Sequence, residues 1–452
     1  MMSKLLKFST ALTAIMIASA AAHADSLPQA VQKTLNTNPD MIIVLSDREI
    51  ADTERRDALG GLFPSIDINA NSGVQSTDSP STRSSAAAVG DGNSEPDLFQ
   101  NEATITLRQL LFDGLGTWAE VNRREALVTS AENKVFDRAE GLAVDTSEAY
   151  LEVLRRNRLL SIAQENLGTH TKYRDMVNKR SEGGGGTVAD LRQAESRYGA
   201  SETTVAQLKG SLADAEASYQ RLVGEVPDNL ARPDFDFGSL PADVASAVAQ
   251  TLQTNPAILS AKNELQAAEE AVTSAYSPFM PRFDLELSGT KGHDLDGIQG
   301  NNDNAAALVV ARWNLLRGGS DNARKDGAVL RRSRARDVVS RVERIQSEQT
   351  RFAWNAMSSA RERVVTLRNV VASNERVRDA YLKQFELGQR SLLDLLDSEN
   401  ELFLSRSDLV TAEYTALFGA YRLMAAMGTL NAHLGVKVPE LQKTTTATSW
   451  SW

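Results

Sequence analysis

Asp394 and Asp397 are spaced so that their carboxylates can act together. In a helix, residues three apart lie on one face. Two carboxylates on one face attract cations and oppose anions. Taken alone, such a pair is typical of a solvated helix face. Its function therefore depends on the elements that position it and on what else meets there.

The other reactive residues do not form a catalytic or metal-binding set. The four histidines, His23, His170, His293 and His433, do not have the spacing of metal ligands. The chain has no cysteine, which excludes disulfides, thiolate catalysis and a lipid attached to an N-terminal cysteine. It has no G-x-S-x-G, H-E-x-x-H or phosphate-binding loop. We therefore predict that the protein is not an enzyme and has no cofactor or metal.

Charge and the N-terminus indicate export. The chain has 59 Asp plus Glu against 49 Lys plus Arg, which argues against a nucleic-acid partner. A basic start and a short apolar run end in an A-x-A sequence at residues 22–24, so residues 1-24 are predicted to be a cleaved signal peptide. An uncleaved anchor is the alternative. Later residues include no apolar run of the length that a membrane-spanning helix needs.

The rest of the chain contains one unit twice. Residues 30–39 recur at 247–256, at an offset of 217, with seven of ten positions identical. From Arg108 and Arg312 onward the offset is 204, and it holds without a gap to Gly224 and Gly428. Repeat 1 is predicted at 25-238, repeat 2 at 239-441, and a disordered tail at 442-452. Each repeat begins with short helices.

Each repeat is predicted to contain one long helical hairpin. No proline lies between Pro96 and Pro227 or between Pro281 and Pro439, and apolar residues recur every seven positions in both windows. The hairpins are predicted at about 115-226 and about 319-434. If the two arms are equal, each is about 80 Å long at about 1.5 Å per residue.

Four segments alternate polar and apolar residues and predict strands, at about 65-74, 102-112, 282-290 and 305-315. Strands of this length with one apolar face are typical of a transmembrane β-barrel, and a small soluble sheet is the alternative. Four strands are too few to close a barrel, so a barrel requires several chains. The polar positions predicted to face its lumen are Asp67, Asn69, Arg108, Asp284, Glu286 and Arg312.

These features, in this order, resemble the TolC-like outer-membrane factor family. The duplicated Thr-Asn-Pro sequence and residues 111–114, 149–154 and 388–399 carry the resemblance, which covers nearly the whole mature chain. It implies a mainly α fold with a small β part, built from a duplicated strand–long helical hairpin unit. Three copies would form an α-barrel tunnel continuous with a shared 12-stranded transmembrane β-barrel. Residues 180–191 most resemble the type I secretion branch.

The resemblance also implies a location, partners and a function. We expect a homotrimer in the outer membrane of a Gram-negative bacterium, in contact with lipid and extending into the periplasm. A periplasmic adaptor (membrane fusion) protein and an inner-membrane ABC or other export transporter would dock at its lower end. The expected function is a passive exit channel of a tripartite system, most consistent with type I protein secretion. A multidrug efflux channel and a soluble periplasmic coiled-coil adaptor are the alternatives.

The resemblance assigns roles to residues near the hairpin tips. Gly184 and Gly388 would form the tips, and Gly183, Gly184, Gly185 and Gly186 would meet the adaptor. Asp394 and Asp397 from three chains would ring the periplasmic entrance as gate carboxylates.

Arg390 and Asp190 match the family's tether of the closed entrance. Phe385 replaces a tyrosine of the family and Ala189 a threonine, and neither can donate a side-chain hydrogen bond. We therefore expect fewer polar links, supplemented by three leucines, Leu392, Leu393 and Leu396.

Overall fold

The computed structural model describes residues 26–89 and 97–440, so the predicted signal peptide and C-terminal tail lie outside the described residues. The elements of the first half are α1 Leu27–Thr37, α2 Pro39–Gly60, β1 Ser65–Ser76, α3 Pro80–Val89, β2 Asp97–Phe112, α4 Gly116–Glu182 and α5 Val188–Val223. Those of the second half are α6 Val244–Thr254, α7 Pro256–Tyr276, β3 Arg282–His293, β4 Asn301–Arg312, α8 Ser320–Glu386, α9 Leu392–Ala426 and α10 Leu430–Leu434.

The two hairpins have unequal arms, so the expectation of two equal arms of about 80 Å is wrong. The long helices α4 and α8 each have 67 residues, or about 100 Å. Their partners α5 and α9 have 36 and 35 residues, or about 54 Å. Gly224 and Gly428 follow these shorter arms with positive φ angles of 88° and 71°, which glycine adopts readily at a helix end. Beyond that level, α4 packs on α2 and α7, and α8 packs on α7.

The duplicated Asn-Pro sequence joins the short arm to the helix that continues the wall. Asn38 precedes α2, accepts a hydrogen bond from the Asp40 amide and donates one to the Leu222 carbonyl near the end of α5. Asn255 likewise accepts from the Ile258 amide and donates to the Ala426 carbonyl at the end of α9. Proline at the next position is compatible with the first turn of a helix. The motif therefore caps two helices at once.

Buried hydroxyl pairs repeat in the two halves of the core. Thr146 Oγ1 on α4 lies 3.1 Å from Thr34 Oγ1 on α1, and Thr350 Oγ1 on α8 lies 2.8 Å from Thr251 Oγ1 on α6. All four side chains are buried. The polar position within each predicted apolar stripe is thus satisfied by its counterpart on a short helix.

The four strands form one antiparallel sheet in the order β1-β2-β3-β4, so both outer strands have an unpaired edge in the single chain. The apolar face is exposed, with Ile68 and Val309 among its residues. β2 begins five residues before its predicted start. β4 lies at Asn301–Arg312 rather than at 305-315, so Trp313 and Leu315 follow the strand instead of belonging to it. Among the described helices, none has the length and apolarity needed to cross a membrane.

Candidate functional site

The hairpin tips are short glycine-containing turns at the end of the molecule opposite the sheet. The first tip contains Gly183–Gly186, and the second contains Gly388. Gly184 and Gly388 have φ angles of 76° and 74°, a conformation that is strained for other residues. The structure thus places both glycines in the turns predicted from the repeat.

Two of the predicted functional aspartates are also helix-capping residues. The Asp190 amide donates to Thr187 Oγ1 (3.1 Å), and the Thr187 hydroxyl donates back to the Asp190 carboxylate (2.7 Å). Ser391 and Asp394 make the same pair of bonds at the start of α9, at 3.2 and 2.8 Å. A carboxylate in the first turn also interacts favourably with the helix dipole. The spacing of a hydroxyl residue three positions before an acid was the sequence signal for this role.

The two gate carboxylates each have an arginine partner within the chain. Arg390 Nη1 lies 3.7 Å from Asp394 Oδ2, and Arg197 Nη2 on α5 lies 3.0 Å from Asp397 Oδ1. The guanidinium of Arg390 also stacks on the Tyr381 ring, at 3.9 Å from its centroid. The predicted tether from Arg390 to Asp190 is therefore not formed inside one chain. Arg390 is held by its own helical neighbours instead.

Arg180 supplies a polar link between the two tips that sequence reasoning missed. Its Nη1 is 3.5 Å from the carbonyl oxygen of Phe385, and its guanidinium lies 5.6 Å from the Phe385 ring centroid. The lack of a side-chain hydroxyl on Phe385 is thus offset by a bond to the backbone of the same residue. A Cβ on Gly388 would lie 3.5 Å from Arg180 Nη2, so the two tips are in close contact.

The three leucines near the second tip have different environments. Leu392 and Leu396 are buried in a cluster with Phe385 and Tyr173, which joins α9 to α4. Leu393 is exposed. Within the chain, two of the leucines therefore hold the hairpins together, and the third is free to meet another surface.

A buried ion pair above the tips was also missed. Arg378 Nη1 on α8 lies 3.1 Å from Glu399 Oε2 on α9, and the hydroxyl of Tyr173 on α4 donates to the same oxygen at 3.4 Å. Burial raises the pKa of Tyr173, so its hydroxyl remains a donor. Glu399 matches Glu195 at the 204 offset, but nothing in its sequence context distinguishes a buried carboxylate from an exposed one.

The predicted lumen residues lie on one face of the sheet. Asp284 is fully buried and accepts from Arg312 (2.9 Å) and Arg282 (2.9 Å). Glu286 accepts from Arg312 (2.6 Å) and from Arg108 on the neighbouring strand (3.1 Å).

The strand register places the side chains of Asp67 and Asn69 on this same face, opposite Thr106 and Thr104. Among the residues that the structure describes, no group of three or more histidines and acids is arranged to hold a metal ion.

This architecture is that of a known class of membrane channel. The sequence matches the family described as outer membrane efflux protein over residues 30–225 and 247–429, and the two matched segments correspond to the two repeats. The chain belongs to this family of TolC-like outer-membrane channels.

Curated relatives agree with this assignment. Outer membrane efflux protein BepC of Brucella suis biovar 1 (strain 1330) is 28% identical over 348 residues, or 74% of each chain. Outer membrane protein TolC of Escherichia coli (strain K12) is 21% identical over 91% of this chain and 84% of its own. Alkaline protease secretion protein AprF of Pseudomonas aeruginosa (strain PAO1) is 23% identical over 88% of this chain and 83% of its own.

A solved structure of CusC, described in terms of transmembrane channel formation, has the same fold. It aligns with a TM-score of 0.77 over 89% of this chain and 91% of its own, at 17% identity. The protein is thus an efflux channel of the Gram-negative outer membrane, with a helical tunnel and a β-barrel. Family and fold are those of a channel rather than an enzyme, and the soluble adaptor considered above is a different class of protein.

Proposed function

We propose that three copies of this chain form the exit duct of a type I protein secretion system. The sheet carries this proposal: it has two unpaired edges, one exposed apolar face and one ion-paired polar face. Unpaired edges are not tolerated in lipid, so the sheet must be completed by other copies. Three copies supply about twelve strands, enough for a water-filled lumen. A periplasmic adaptor and an inner-membrane ABC or other export transporter complete the assembly.

Secretion of a protein, rather than drug efflux, is supported by three features. A relative with similar coverage is named for secretion of a protease. The chain lacks a cysteine for lipid attachment, and the first tip has four consecutive glycines. Gly183–Gly186 would dock the adaptor, since no side chain there covers the backbone. Multidrug efflux is the second candidate, favoured by the name of the Brucella suis relative.

The cargo is tested by deleting the gene and comparing the proteins in the culture medium and the sensitivity to drugs. A secreted protein that disappears and returns on complementation supports type I secretion. Unchanged secretion with increased drug sensitivity would contradict it and favour efflux. Capture of the adaptor by a photo-crosslinker at Ser181 or Thr187 tests docking, with Thr203, far from the tip on the same helix as Thr187, as the control position.

Asp394 and Asp397 are proposed to ring the periplasmic entrance. In each chain both are paired with arginine, so the closed ring carries little net charge, and opening would free the carboxylates. Channels reconstituted with Asp394→Asn and Asp397→Asn together are expected to lose cation selectivity. Asp408→Asn, an exposed acid further along α9, is the control and should leave selectivity unchanged. Equal effects of both changes would sink this assignment.

The closed entrance is proposed to be held by Arg390 and Asp190 of neighbouring copies, together with Arg180 within each copy. Arg390→Ala, Asp190→Ala and Arg180→Ala are expected to raise the conductance of the purified channel. Arg192→Ala is the control, because its partner Glu195 lies on its own helix. Unchanged conductance of the three variants would contradict the tether.

A further inference from the structure

The contact between α4 and α7 joins the two repeats inside the chain. Ser130 Oγ on α4 lies 2.9 Å from Ser260 Oγ and 3.4 Å from Glu264 Oε1 on α7. Lys134 Nζ lies 2.6 Å from the same carboxylate oxygen. The opposite side of α4 binds α2, for example through Glu132. The long helix therefore has two distinct packing faces.

α8 and α2 are the repeat counterparts of α4 and α7, and each has a corresponding face that the chain leaves uncovered. At the offset of 204, Ser130 on α4 corresponds to Arg334 on α8. At the offset of 217, Glu264 on α7 corresponds to Asp47 on α2. Both Arg334 and Asp47 are exposed, and neither has an ion-pair partner among the described residues.

Apolar residues beside these two charges are exposed in the same way. Ala126 and Ala267, about one turn from Ser130 and Glu264, are buried. Their counterparts are Leu330 on α8, which is 70% exposed, and Ile50 on α2, which is 56% exposed. Small buried residues inside the chain thus correspond to large exposed ones at its two ends.

The two uncovered faces also belong to segments of opposite charge. Residues 324–344 of α8 include eight basic and three acidic side chains, whereas α2 has six acidic and three basic ones. Complementary charge of this kind selects the partner and its register. A second copy of this chain is therefore the partner that fits both faces.

We propose that α8 of one copy packs on α2 of the next as α4 packs on α7, with Arg334 paired to Asp47 and Leu330 beside Ile50. The inference rests on the proposed ring of copies and names the surfaces that form it. Because one face meets a different face, the contact is heterologous and repeats until the ring closes. The junction between copies then resembles the junction between repeats, but it is fixed by an ion pair instead of a serine.

Site-directed crosslinking tests this contact, because the native chain has no cysteine. Arg334→Cys with Asp47→Cys, treated with a short bismaleimide on the purified full-length protein in detergent, is expected to give covalent dimers and trimers. Lys134→Cys with Glu264→Cys is the matched control and should crosslink within a single chain. If the first pair gives only monomers while light scattering shows a trimer, the contact is wrong and the proposed function stands. A protein that is monomeric by light scattering would overturn both.

Charge reversal provides the second test. Arg334→Asp and Asp47→Arg are each expected to weaken assembly by at least about tenfold, because like charges then meet at the interface. The double variant restores the pair and should recover most of the trimer. Arg336→Asp is the control, since its counterpart Glu132 lies on the other packing face. Loss of assembly in the double variant equal to that of the singles would contradict the pairing.

Discussion

Glu140 gives the most quantitative prediction. This buried residue on α4 accepts hydrogen bonds from the amides of Leu430 (3.0 Å) and Asn431 (3.1 Å), and so caps the start of α10. Burial raises the pKa of Glu140 from 4.5 to about 7, despite the opposing effect of the two amides. Asp137 on the same helix raises it further. The protonated carboxyl is therefore favoured in the folded protein.

The sign of the pH dependence follows from this shift. Between about pH 4.5 and 7 the folded state binds more protons at this site than the unfolded state does. The free energy of unfolding is thus highest below pH 4.5 and falls as the pH rises through 7. At about 1.4 kcal/mol per pKa unit, the full effect is about 3 kcal/mol.

Hydrogen exchange of the Leu430 and Asn431 amides, corrected for intrinsic rates, measures this effect locally. From about pH 5 to about pH 8 we expect the free energy of opening of α10 to fall in the native protein. Glu140→Gln, which does not titrate, should remove that dependence while lowering protection at the acidic end. Glu125→Gln, at an exposed position on the same helix, is the control. If Glu140→Gln keeps the native pH dependence, another group is responsible and the reasoning fails.

Three further predictions concern stability, each measured by urea unfolding in detergent. Arg378→Met leaves the Glu399 carboxylate buried without its cation and should cost about 3 to 5 kcal/mol, whereas combining it with Glu399→Leu should recover most of that loss; equal losses would contradict this. Gly419→Val should cost about 1 to 3 kcal/mol, because a Cβ there would lie 2.9 Å from the Met357 backbone; a neutral result would show that α8 can shift. Asn255→Ala removes a cap from two helices and should cost about 1 to 2 kcal/mol; no change would show that the double cap is not needed.

The repeated architecture could be predicted from the sequence because it depends on periodicity. Proline-free windows and apolar heptads predicted both hairpins, and alternation predicted four strands with Asp284 and Glu286 on the polar face. The unequal arms could not be predicted, because a gap-free repeat does not show where each arm ends. The end depends on Asn38 and Asn255, whose side-chain amides bind carbonyls that are distant in sequence.

The candidate site was predicted less completely than the fold, because its contacts are decided by packing. Asp394 was found from its spacing, and its capping role was readable from Ser391. The partner of Arg390 was not readable, since its guanidinium had to choose between Asp190 and the nearer Asp394 and Tyr381. Long-range contacts of this kind leave no local pattern in a sequence.

The helix junctions at Asn38 and Asn255 also have a mechanical consequence. At this level α4 and α8 continue unbroken, whereas the second helix of each pair ends at Gly224 or Gly428 and a new one begins. Each repeat is thus a rigid rod alongside a jointed one, and the joint is held by few hydrogen bonds. A bending load applied at the tips is transmitted along the rods and meets its least stiffness at the joints, far from both the tips and the sheet.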